Sequence, residues 1–126
     1  MRIEIEHWWK QAQRDLVSAK NSSKSGDYYI SAFLCQQVVE KGLKARLMLS
    51  TKERMFISHS LIELGRRAKV PESLIEDLRR LAPEYIISRY PDVTESLPYE
   101  NYSLSIAQDR LKRAERIFQW LNTQMK

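Results

Sequence analysis

Gly26-Asp-Tyr-Tyr-Ile-Ser-Ala-Phe-Leu-Cys-Gln-Gln-Val-Val-Glu-Lys-Gly-Leu-Lys-Ala-Arg-Leu-Met-Leu49 reads as a helix with two unlike faces. At about 100° per residue, Leu34, Cys35, Val38, Val39, Leu43, Ala45 and Leu49 spread over one broad side. Gln36, Gln37, Glu40, Lys41 and Lys44 collect on the other, interrupted by Phe33, Leu47 and Met48. An apolar side this wide needs partners on several flanks, which places the helix centrally in a bundle. The polar stripe has two readings. As a solvated surface it carries an i,i+4 Glu40–Lys44 pair. As a ligand site it presents amides, which read hydrogen-bonding partners in both directions, beside ammonium groups that suit phosphate.

The rest of the chain supplies helices for that centre. Ile5, Trp8, Trp9, Ala12, Leu16 and Ala19 recur at steps of three and four, predicting a first helix over about residues 3 to 23. Asn21 to Gly26 breaks it, with Gly26 free to take a positive φ and Asp27 able to cap the next helix. Ser60-Leu-Ile-Glu63 is a capping-box pattern opening a short third helix with Leu61, Leu64 and Ala68 inward. Pro71 starts a fourth, striped by Leu74, Ile75, Leu78 and Leu81, which Pro83 should bend or restart and Pro91 should end after Tyr90. Val93 to Asn101 holds Pro98 and no periodicity, so a loop is expected. Leu104, Ala107, Leu111, Ala114, Phe118 and Leu121 form one narrow seam on a last helix, with Trp120 off it.

Composition sets limits. A chain of 126 residues is expected to be one domain, residues 1–126, and 43% hydrophobic with 29% charged residues is ordinary globular usage. Three Gly and four Pro oppose a turn-rich β protein. The lone Cys35 excludes an internal disulfide and fits a reducing, cytoplasmic setting. No 18-residue apolar run exists, and charges stand at every second position of the N-terminus, so neither a membrane span nor a signal peptide is expected. A net charge of +5 permits an acidic partner such as RNA or nucleotide without demanding one. Surplus aromatics at Trp9, Phe118 and Trp120 favour a homodimer.

Gly26-Asp27-Tyr28-Tyr29, Ala32-Phe33, Gln36-Gln37, Glu40-Lys41 and Leu43-Lys44-Ala45 resemble the HEPN (higher eukaryotes and prokaryotes nucleotide-binding) domains. The resemblance extends to Trp8…Ala12…Asp15-Leu16…Ala19, to His59-Ser60-Leu61…Leu64, and to Tyr85-Ile86…Arg89-Tyr90-Pro91-Asp92, nearly the whole chain. It implies an all-α, up-and-down bundle of about five helices, often dimeric. Such domains commonly stand beside a separate small nucleotidyltransferase, or act as ribonuclease toxins.

Two constellations carry chemistry. Arg54-Met-Phe-Ile-Ser-His59 is an Arg, four residues, then His. Ribonuclease members of the resembled family use such a pair without metal: an imidazole moves a ribose hydroxyl proton while a guanidinium holds the scissile phosphate. Met55 stands where the family carries a polar residue, and His59 also matches the His of its His-Ser/Asp-Leu helix start, where it caps or packs. In a regular helix residues five apart point about 140° apart, so the pair converges only across a helix boundary. Tyr85…Arg89-Tyr90 places an arginine between aromatics at a helix end, suited to stacking a base and clamping a phosphate, or to packing beside a negative C-terminus. Gln37, Lys41, Lys44 and Arg89 are therefore the expected nucleotide-binding residues, and Arg54 and His59 the catalytic ones if the chain cleaves RNA. No P-loop, dinucleotide fingerprint or Mg²⁺-holding Asp pair appears, and two His with one Cys do not suggest a metal site, so no cofactor or metal is expected and transferase chemistry would come from a partner chain. The functional expectation is a nucleotide- or RNA-engaging accessory to a small nucleotidyltransferase, in a toxin–antitoxin-like pair. A ribonuclease toxin and a ligand-free dimerisation module are its alternatives.

Overall fold

The computed structural model describes residues 2–51 and 58–126. Among these, all regular structure is helical: α1 Ile3–Lys24, α2 Tyr28–Thr51, α3 Leu61–Arg67, α4 Ile75–Leu81, α5 Glu84–Ile87 and α6 Leu104–Gln124. Single 3₁₀ turns at Glu72–Leu74 and Pro98–Asn101 lead into α4 and α6.

The turn between α1 and α2 is tight because Gly26 takes φ +88°, which an L side chain rarely adopts. Asp27 occupies the entry of α2, its carbonyl accepting from Ser31 N at 3.0 Å. The two long helices then lie side by side. Ala12, Ala19 and Ala32 are fully buried between them, small enough for close approach, and Ser31 Oγ donates to Ala19 O at 2.8 Å. α6 closes the other flank of α2. Here Gly42 matters: a β-carbon on it would stand 2.6 Å from Leu121 Cδ1 and 3.5 Å from Trp9 Cζ3. With α3, α4 and α5 also touching it, α2 is central, as its wide apolar side requires. Leu47 and Met48 are buried too, although they interrupt the polar stripe.

α3 begins where the capping pattern places it, and Ser60 Oγ accepts from Glu63 N at 3.2 Å. The reciprocal half differs. Glu63 accepts from Ser58 Oγ at 2.9 Å, and Ser60 N donates to that same hydroxyl at 3.1 Å. After Pro71 the chain makes its 3₁₀ turn before α4, with Leu78 and Leu81 buried. Pro83 restarts the helix as α5. That helix stops at Ile87, three residues before Tyr90; Ser88 Oγ bonds back to Glu84 O, and the turn continues through Tyr90 N to Ile86 O at 3.1 Å.

α6 is capped by Ser103, whose Oγ accepts from Ile106 N at 3.3 Å. Its buried line is Ala107, Ala114, Ile117 and Leu121; Leu104 is 48% exposed. Trp9 stacks on Phe118 with centroids 5.0 Å apart, so two of the surplus aromatics satisfy each other inside the subunit. Buried Asp77 ties α4 to α6, accepting from Arg113 Nη1 at 3.0 Å and from Arg116 Nη2 at 2.7 Å. A second buried polar group, Glu84, faces Arg110 of α6, Nε to Oε1 at 3.7 Å. Burial raises the Glu84 carboxyl above its usual range, although Tyr102 and Arg110 oppose this. Cys35 is sealed in the core, where burial pushes its thiol up to about 12. No helix among the described residues is long and apolar enough to cross a membrane.

Candidate functional site

The polar stripe of α2 is neither solvated nor open, because α1 on one side and His59 on the other cover its middle. Gln36, Glu40 and Lys44 are buried, and Glu40 is their hub. Its Oε1 accepts from Gln36 Nε2 at 3.0 Å; its Oε2 accepts from Lys44 Nζ at 2.9 Å and from His59 Nδ1 at 2.8 Å. Gln37 Nε2 extends the chain by donating to Gln36 Oε1 at 2.7 Å. Burial works to raise the Glu40 carboxyl, but the hydrogen bonds from His59, Gln36 and Lys44 outweigh it and hold the group below its ordinary value. The i,i+4 Glu40–Lys44 pair is thus present, out of water. Lys44 Nζ also lies 5.4 Å from the centroid of the Trp8 ring. Lys41 turns toward α1, its Nζ 2.6 Å from Asp15 Oδ2, and Asp15 accepts from Gln11 Nε2 at 2.9 Å on its other oxygen. Lys41 with His7, Trp8 and Gln11 borders a shallow cleft of about 270 Å³.

His59 stands immediately before the Ser60 cap, so it leaves the helix and lays its ring over Glu40. The side chain remains 57% exposed and meets the Tyr85 ring edge-on, centroids 5.6 Å apart at 72°. His59, Ala82, Tyr85, Ile86 and Tyr90 line a cleft of about 430 Å³. Arg89, in the turn that ends α5, sits among three rings. Its Cζ is 4.7 Å from the centroid of Tyr85, 4.9 Å from Tyr90 and 5.3 Å from Phe33, and its Nη2 donates to Tyr90 Oη at 2.8 Å. Beyond it opens the larger cleft, about 560 Å³, whose walls include Tyr29, Phe33, Arg89, Tyr90, Leu97 and Tyr99. Tyr90 lines both clefts and forms, with Arg89 on the larger side, a ridge at their boundary. Flat rings around a fixed guanidinium offer stacking faces beside a phosphate donor.

Gln37, Lys41 and Lys44 therefore share one face of α2, and Arg89 reaches it at Phe33, one turn before Gln37. Their availability differs: the Lys41 and Lys44 ammoniums are held by Asp15 and Glu40, whereas Arg89 is exposed. Of the expected catalytic pair, His59 is in the site; Arg54 lies outside the described residues. Sequence reasoning did not single out Phe33 or the tie from Glu40 to His59. The Glu40–His59 contact spans 19 residues, and no local spacing rule reaches that far. Phe33 was legible as an interruption of a polar stripe and as part of the Ala32-Phe33 resemblance, not as a site residue. Among the described residues no three His, Cys, Asp or Glu side chains converge as metal ligands would.

A profile of the HEPN domain matches residues 5–124. The chain belongs to the HEPN domain family. Its fold is that of solved HEPN-type structures: an archaeal HEPN homologue, ST0689, superposes with a TM-score of 0.82 at 36% identity, covering 97% of this chain and 98% of that one. TT1696 from Thermus thermophilus superposes with a TM-score of 0.87 at 28% identity, covering 98% and 99% respectively. A Methanocaldococcus jannaschii protein named "Putative toxin MJ1304" is 30% identical over 122 residues, 87% of this chain and 80% of that protein. This HEPN chain is thus an all-helical bundle by pattern, by structure and by kinship.

Proposed function

We propose that this HEPN domain engages nucleotide or RNA at the Arg89 ridge and works with a separate small nucleotidyltransferase in a toxin–antitoxin-like pair. The observation that carries the reading is the enclosure of Arg89 by Phe33, Tyr85 and Tyr90 in the wall of the larger cleft, with Tyr90 also lining the cleft beside His59. A guanidinium stacked on rings keeps donors free for a phosphate while neighbouring ring faces take a base. Gln37 and Lys41 stand further along the same face of α2 as Phe33, and Lys44 acts from beneath by holding Glu40 and, through it, His59. The name of the Methanocaldococcus jannaschii relative supports the toxin–antitoxin setting. Transfer chemistry belongs to the partner chain. The domain functions as a homodimer in the cytoplasm.

A second reading, a metal-independent ribonuclease using Arg54 and His59, draws on one observation: a buried carboxylate orients the His59 imidazole while leaving the ring accessible. Calorimetric titration with ATP and with a mixed-sequence RNA separates the readings. The accessory reading expects binding that weakens about ten-fold in Arg89→Ala, with the RNA intact. Cleavage lost in both His59→Ala and Arg54→Ala would establish the ribonuclease. No binding at millimolar ligand and no cleavage would reject both.

A further inference from the structure

We infer that the cleft beside Trp8 is a second base-stacking subsite, reached by a single-stranded chain held at Arg89, so that the ligand of the domain is an oligonucleotide and not a mononucleotide. The inference rests on the reading of the Arg89 ridge as a nucleotide or RNA site.

The two adjacent tryptophans of α1 are placed differently. Trp9 is 9% exposed and stacks on Phe118 inside the subunit. Trp8, about 100° round the helix from it, is half-buried and borders the cleft of about 270 Å³ with His7, Gln11 and Lys41. Buried Lys44 lies over its ring at 5.4 Å, which makes that face the inward one. An indole backed by the protein is a fixed platform, and every base has a face to lay on it. Polar atoms stand at its edge. Gln11 commits Nε2 to Asp15 at 2.9 Å, which leaves Oε1 as an acceptor. Lys41 Nζ donates to the other oxygen of that carboxylate at 2.6 Å and keeps two further protons to donate. A donor beside an acceptor meets the Watson–Crick edge of any base, so the subsite tolerates sequence.

Helix α2 connects this cleft to the Arg89 ridge. Phe33, Gln37 and Lys41 form an i,i+4 row that winds from the α5 side of the helix to the α1 side: Phe33 meets Arg89 at 5.3 Å, and Lys41 meets Asp15. At about 1.5 Å of rise per residue the ends of the row stand about 12 Å apart, a distance that a few nucleotides cover. Arg14 completes the charge. It is exposed, one turn beyond Gln11 and two beyond His7 on the same face of α1, where a guanidinium can hold the phosphate next to a base on Trp8. The net charge of +5 favours such a polyanion.

Calorimetric titration compares ATP, hexauridylate and a sugar–phosphate hexamer that carries no bases. The wild type should bind hexauridylate more tightly than the baseless hexamer. Trp8→Leu should weaken hexauridylate about ten-fold and keep the ATP affinity, and Trp8→Phe, which restores a ring, should recover most of the loss. Arg14→Gln, an exposed change, should lower the salt dependence of hexauridylate binding by about one phosphate contact. A spectroscopic arm needs no variant to bind: in 5-fluorotryptophan-labelled wild type, the Trp8 resonance, assigned through Trp8→Phe, should shift with hexauridylate and stay in place with ATP. A Trp8 resonance unmoved by hexauridylate, equal affinity for the hexamers with and without bases, or a Trp8→Leu loss shared by ATP would each overturn the subsite. With ATP binding still dependent on Arg89, each would leave the Arg89 site standing. Binding of neither ATP nor hexauridylate would overturn the subsite and the Arg89 site together.

Discussion

His59 Nδ1 lies 2.8 Å from an oxygen of Glu40, so an imidazole that is 57% exposed is held by a carboxylate that is 6% exposed. This contact joins the surface of the HEPN domain to the middle of its central helix. Lys44, 4% exposed, shares the same oxygen.

Because both groups of the Glu40–Lys44 pair are out of water, removing one strands the other. Glu40→Ala should cost about 3 kcal/mol of unfolding free energy, since it leaves a buried ammonium without its counter-charge. The paired replacement Glu40→Met with Lys44→Met should recover most of that loss. Urea unfolding of the three proteins checks both statements, and a stability of Glu40→Ala equal to the wild type would refute them.

Acid should weaken the fold through the same group. The Glu40 carboxyl is held below its ordinary value of 4.5, and a depressed carboxyl contributes stability above that value and loses it as pH falls through the folded one. The stability gap between wild type and Glu40→Gln should therefore narrow as pH drops below about 4.5. Glu84 has the opposite sense. Burial raises its carboxyl, so its contribution falls as pH rises from 4.5 through its folded value, and Glu84→Gln should gain on the wild type over that rise. Urea midpoints across acidic to neutral pH read both trends; gaps independent of pH would contradict them.

The last helix offers a contrast in burial. Ile117 is fully buried and Leu104 is 48% exposed, although only Leu104 lies on the sequence seam. Ile117→Ala should cost about 3 kcal/mol, and Leu104→Ala under about 0.5 kcal/mol. Thermal unfolding of the two variants decides the order.

That contrast shows what periodicity conveys. The α-helical class, the central place of α2, the Gly26 turn, the Ser60 cap and the break at Pro83 were legible because each depends on neighbours within a few residues. The α6 seam was half legible: steps of three and four drawn from Leu104 pass one position beside Ile117, because the helix is covered by α2 on one side and α4 on another. The polar stripe of α2 was visible as residues but not as a network. Its partners Asp15 and His59 come from outside the helix, and sequence spacing does not report that they cover it. Arg89 and its two tyrosines were legible as a motif; their third ring, Phe33, was not, since it lies more than fifty residues away in the chain.

Association should follow from what the subunit leaves uncovered. Ile86, Tyr90, Val93, Leu97, Tyr99 and Leu104 are large apolar residues between 43% and 61% exposed, drawn from α5, the following loop and the start of α6. Sedimentation equilibrium at micromolar concentration should return twice the 14.9 kDa chain mass. Leu97→Glu with Tyr99→Glu should shift it to the monomer, and a wild-type monomer would reject the dimer.

The Arg89 ridge is the central claim, and photocrosslinking locates it most directly. An RNA carrying 4-thiouridine, irradiated with the wild-type protein and mapped by peptide mass spectrometry, should attach to Tyr85, Tyr90 or Phe33, and the adducts should fall about ten-fold in Arg89→Ala. Adducts confined to other faces of the bundle, or undiminished in Arg89→Ala, would contradict the account.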